Sequence, residues 1–66
     1  MDDIYRVYCQ YGPENIKVHT FFNEHAKVHA EKFFQHVIVE LLTGTTKGDV
    51  SLYHNRNIVA RYEQLQ

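Results

Sequence analysis

Only one stretch of this chain repeats with a helical period. Its apolar residues fall at Ala26, Ala30, Phe33, Phe34, Val37, Ile38 and Leu41, at spacings of 4, 3, 1, 3, 1 and 3. That is one stripe of an amphipathic helix, and such a stripe must be covered by something else in the fold. Asn23 stands before it as an N-cap, since its side-chain oxygen can accept a free first-turn amide. Glu24 then meets the positive end of the helix dipole. The pattern fades at Leu42, and Gly44 ends it as a residue tolerant of left-handed dihedrals.

The cover must come from short segments on either side. Ile4–Tyr11 is rich in aromatic and β-branched residues and reads as a strand. Gly12-Pro13-Glu14-Asn15 reads as a turn, and Ile16–Phe22 alternates as a second strand. Beyond the helix, Thr45–Gly48 is a linker and Asp49–Tyr53 a third strand. His54–Asn57 is a tight turn in which an asparagine can take positive φ, and Ile58–Glu63 is a fourth strand. The expected fold is α+β: a single ββαββ domain over residues 1–66, with a four-stranded antiparallel sheet and one helix packed on one face. Alternation assigns Val7, Cys9, Ile16, Val18, Val50, Leu52, Ile58, Ala60 and Tyr62 to the helix side. It assigns Arg6, Tyr8, Gln10, Lys17, His19, Phe21, Ser51, Tyr53, Val59, Arg61 and Glu63 to the other side.

Size and charge then bound the function. The chain has 66 residues, 44% hydrophobic and 23% charged, with a net charge of -1. A domain this small buries only about 60% of its unfolded surface and leaves little room for a deep internal pocket. Subunit pairing is the remaining way to bury more, so a homo-oligomer is expected. Eight acids against seven lysines and arginines argue against tight binding to long duplex DNA. No apolar run suggests a membrane span, and no secretory signal is expected. The single cysteine, Cys9, excludes an internal disulfide framework, and a cytoplasmic location is expected.

Three places invite a ligand. On the open sheet face, Tyr8, Phe21 and Tyr53 lie among Arg6, Lys17, His19 and Arg61, a mixture that can stack bases and meet phosphates. Tyrosine and arginine are also common where subunits pack, and tyrosine simply favours strands. Thr45, Thr46 and Lys47 offer hydroxyls and a cation to a phosphate edge, although the loop lacks the Walker pattern and leaves a helix C-terminus. Along one helix flank run His25, His29, Lys32, His36 and Glu40, spaced 4, 3, 4 and 4. That flank is read first as solvated, then as phosphate-binding. No metal site or cofactor is expected, because His25 and His29 lack a clear third ligand. A further helix face, Val28, Gln35, Val39 and Leu42, favours contact with another subunit.

Nothing points to catalysis. Cys9 falls in the expected core, where it acts as a small hydrophobe, and Ser51 has no nucleophile-elbow context. In length, in strand order and in the closing segment Ser51–Tyr62, the chain resembles the small single-domain accessory proteins encoded by tailed phages. That resemblance implies a host-takeover or anti-defence role, exercised in the host-cell cytoplasm by stoichiometric binding, and it assigns no residue. The leading expectation is a non-enzymatic oligomer that sequesters a small nucleotide signal such as a cyclic dinucleotide. The alternatives are an inhibitor or adaptor of a host protein, and a single-stranded nucleic-acid binder.

Overall fold

The computed structural model describes residues 3–44 and 47–63. Its elements follow the expected order: β1 (Tyr5–Gln10), β2 (Ile16–Phe21), α1 (Ala26–Thr43), β3 (Asp49–His54) and β4 (Asn57–Glu63). The strands form one antiparallel sheet in the order β2-β1-β3-β4. Two hairpins are thus joined through the helix, and the first strand lies in the middle of the sheet.

The helix covers one face. Ala26, Ala30, Phe34, Val37 and Leu41 of its stripe are buried, and they meet Tyr5, Val7, Cys9, Val50 and Leu52 from the two central strands. Phe33 and Ile38 pack at the margin, with Ala60 and Tyr62 of β4. The core face of β1 and β3 is therefore the one alternation assigns.

Two boundaries differ from expectation. Asn23 is not the N-cap, a position taken by His25 with no side-chain cap; the Asn23 side-chain oxygen accepts the His25 amide (2.9 Å) in the turn before the helix, and its carbonyl accepts the Ala26 amide (3.0 Å). The helix itself begins only at Ala26, so Glu24 lies in the turn before it. At the other end, Gly44 is not left-handed. Its φ is -90° and its ψ 179°, and its amide closes the last turn on the Glu40 carbonyl (2.8 Å). The linker threonines Thr45 and Thr46 lie outside the described residues.

The edge strands correct the expected face assignment. Residues directly opposite in an antiparallel pair share a face. Val7 pairs with His19, and Cys9 with Lys17. Lys17, His19 and Phe21 therefore face the helix, while Ile16 and Val18 face away, the reverse of the expected assignment. The cause is the five-residue turn Tyr11–Asn15, closed by the Tyr11 amide on the Asn15 carbonyl (2.8 Å), which sets Gln10 opposite Ile16. In β4, the register shifts between Leu52↔Ala60 and Tyr53↔Ile58, leaving Val59 as the extra residue of a bulge. Ile58 thus shares the face of Tyr53 instead of joining the core.

Asn55 holds the β3–β4 turn. Its φ is 58°, the positive value anticipated for an asparagine there. Its side-chain oxygen accepts the Ile4 amide (3.0 Å), and its own amide donates to the Ile4 carbonyl (2.7 Å). Beside it the His54 ring stacks on Tyr5 at 4.5 Å. The start of β1 is thereby tied to a turn about fifty residues later.

Candidate functional site

The face opposite the helix is built in three rows. Register places Thr20, Arg6, Tyr53 and Ile58 in one row, Val18, Tyr8, Ser51 and Arg61 in the next, and Ile16, Gln10, Asp49 and Glu63 in the last. A diagonal of apolar side chains crosses all four strands: Val18, Tyr8, Tyr53, then Ile58 with Val59 beside it. The two tyrosine rings meet edge to face at 5.1 Å and 67°, a geometry in which one ring's edge lies on the other's electron-rich face. Tyr8, Ile16, Val18, Ile58 and Val59 are all exposed, at 40–58%.

Charge on this face is balanced. Arg61 donates to Glu63 (2.8 Å) and lies 3.6 Å from Asp49. These pairs are solvent-accessible and add little to stability, but they neutralise the arginine where it stands. Arg6 reaches the Asn55 carbonyl at 3.5 Å.

The ligand set expected from sequence is divided by the fold. Arg6, Tyr8, Tyr53 and Arg61 come together on the open face. Lys17 and His19 do not join them. His19 lies on the helix side with its ring 4.3 Å from Phe33. Lys17 lines a cleft of about 450 Å³ with Tyr11, Asn15, Glu40, Leu41 and Gly44. Lys47 lines a shallow depression with Gln10, Gly12, Pro13, Gly48, Asp49 and Glu63. Ile16, Val18 and Ile58 are the open-face residues that alternation missed. The length of the Tyr11–Asn15 turn was the available signal for the first two.

On the helix, Val28, Gln35, Val39 and Leu42 are exposed, as are His25, His29, Lys32, His36 and Glu40. The His25 and His29 rings are 6.0 Å apart, and His36 lies 3.7 Å from Glu40. Among the described residues, no three histidines, cysteines or carboxylates converge as for a metal ion. No described helix is long and apolar enough to cross a membrane.

Cys9 is buried, and Tyr11 two residues on lines the Lys17 cleft. Burial pushes the Cys9 thiol up, so it is a poor nucleophile. Burial and the neighbouring Cys9 push the Tyr11 hydroxyl from 10.0 up to about 12. The folded state therefore holds this proton more tightly than the unfolded chain does. The corresponding stability is whole below pH 10 and falls as pH rises toward 12. Ultraviolet absorbance titration of the folded protein should show a late-ionising tyrosine that disappears in Tyr11→Phe. A titration unchanged by that substitution would place the late step elsewhere.

Compared with protein-family models, with curated proteins and with solved structures, the chain matches none.

Proposed function

We propose that the protein is a non-enzymatic binding module that docks the open face of its sheet onto a protein surface. The apolar diagonal from Val18 to Ile58 carries this reading. A face exposed only to water is expected to be polar, and this one carries Ile16, Val18, Tyr8, Tyr53 and Ile58 among its twelve paired positions. Its two arginines are equalled in number by two carboxylates, Asp49 and Glu63, both beside Arg61, a balance that suits a protein contact better than an anion. Both sheet edges are unsuited to strand addition. The bulge at Val59 disrupts β4, and β2 carries Lys17 and His19, both exposed, on the helix side of its edge, two devices that blunt edges. Contact through the face remains. Stoichiometric inhibition of a host protein, one of the two roles implied by the resemblance to phage accessory proteins, would use such a surface in the cytoplasm.

Affinity capture from host-cell extract with the wild type and with Tyr8→Lys, identified by mass spectrometry, tests the reading. A partner retained by the wild type and lost by the folded variant is the expected result. Retention of the same proteins by both would refute it.

Nucleotide sequestration is the second reading, and Arg6 beside the Tyr8–Tyr53 pair favours it. On that reading, calorimetric titration with a cyclic dinucleotide shows saturable binding. Tyr53→Ala should then weaken it by about 1–3 kcal/mol, the value of one stacked base. Absence of heat with the wild type would dismiss this reading and leave the first intact.

A further inference from the structure

We infer that His25 and His29 form an open chelate for a borderline divalent transition-metal ion, of the nickel(II) and copper(II) kind, with water in the remaining positions. The pair stands at the start of the helix, away from the open sheet face, so the inference does not depend on what that face binds.

Spacing brings the two rings together. Side chains four residues apart are neighbours on a helix surface. The carbonyl of His25 accepts the His29 amide (3.0 Å), so the first turn is closed between them. His36 follows His29 on the same flank after seven residues, a rise of about 10.5 Å against about 6 Å for a step of four. The first two histidines are therefore the ones that can close on a single ion.

The separation fits. An imidazole nitrogen stands about 2.0–2.1 Å from its metal, which puts the ring centre about 3.2 Å away. Two rings on one ion then have centres about 4.5 Å apart at a right angle, about 5.2 Å at the tetrahedral angle and about 6.4 Å in line. The His25 and His29 ring centres are 6.0 Å apart. A cis pair needs them about 1–1.5 Å closer, a movement that two exposed side chains can make.

The backbone holds both anchor points. The His25 amide donates to the Asn23 side-chain oxygen (2.9 Å), and the His25 ring makes no cap of its own. Its nitrogens are not committed to the helix end. Fixing the two backbones beforehand lowers the ordering cost of binding.

Charge is the opposing term. The N-terminus of a helix repels a cation, and Lys32 follows on the same flank. Glu24 offsets this, with its Oε1 3.5 Å from His25 Nε2. A carboxylate beside a ligating imidazole also orients the ring and raises its basicity. Among the described residues no third histidine, cysteine or carboxylate converges on the pair, which leaves the other positions to water. Such a set of nitrogen and oxygen donors suits copper(II) and nickel(II), and not calcium or magnesium, which take oxygen alone.

Calorimetric titration of the untagged full chain with nickel(II) chloride tests this, with circular dichroism as the check on folding. The wild type should bind one equivalent saturably. His25→Ala and His29→Ala should each weaken binding by about tenfold or more, because the second imidazole no longer closes an intramolecular chelate. His36→Ala should leave it unchanged. Should an alanine disturb the helix start, His25→Gln and His29→Gln give the same readout. A wild type without saturable binding overturns the inference. So does binding that survives both substitutions, or that His36→Ala weakens as much as His29→Ala does.

Discussion

Leu41→Ala is expected to remove most of the protein's folding stability at room temperature. Leu41 is 1% exposed and is among the largest fully buried side chains. It closes the last buried turn of the helix over the sheet. Removing its branched end forfeits transfer energy and leaves a cavity, together worth about 2–5 kcal/mol. A 66-residue domain without disulfides has only a few kcal/mol to lose, roughly 3–5. Urea denaturation followed by circular dichroism measures the loss. Cys9 gives an independent readout, because a thiol reagent should label it slowly in the wild type and rapidly in the variant. A midpoint within error of the wild type would mean that the helix end does not hold the fold together.

Gly48→Val is expected to be the other severe change. Any Cβ at this position would overlap the carbonyl oxygen of Gln10 and crowd the backbone of Tyr11. The obstacle is main chain within the sheet, so no side chain can swing aside. Overpacking of this kind costs typically 1–3 kcal/mol, and the valine branches add to it. Gly12 is the matched control. Its φ is 94°, with nothing near a Cβ, so Gly12→Ala meets backbone strain alone, about 1–2 kcal/mol. Thermal melts of both variants separate the two causes. A milder loss at Gly48 than at Gly12 would contradict the close approach of Gly48 to β1.

Legibility followed cover. The helix was readable because one stripe faces a core and the rest faces water. β1 and β3 were readable for the same reason: the helix lies over both, so alternation there records burial. Over β2 and β4 cover is thin, and an edge strand with little core to face has no strong reason to alternate by hydrophobicity. Ile16 and Val18 looked like core residues and stand on the outside. Lys17 and His19 looked like residues of the open face and stand, still exposed, on the helix side. Ile58 was misread for another reason, since a bulge is one residue of slip that periodicity does not register. The candidate site divided along the same line. Its members on β1 and β3, Arg6, Tyr8 and Tyr53, were found together. Of those on the edge strands, Arg61 was placed correctly because it lies on the regular side of the bulge.

The central place of the first strand sets an order of events during synthesis. β1 and β2 can form a hairpin as soon as both are made, but β1 cannot acquire its second neighbour until β3 follows the helix. That pairing closes a loop of about forty residues, whose entropy must be met before the contact returns anything. Until then β1 is an edge, with unpaired amides beside Val7 and Cys9 and no bulge to blunt it. A chain halted before β3 would present an open, apolar strand to its neighbours, the condition under which nascent chains aggregate. The fold is thus completed from its middle, by its second half.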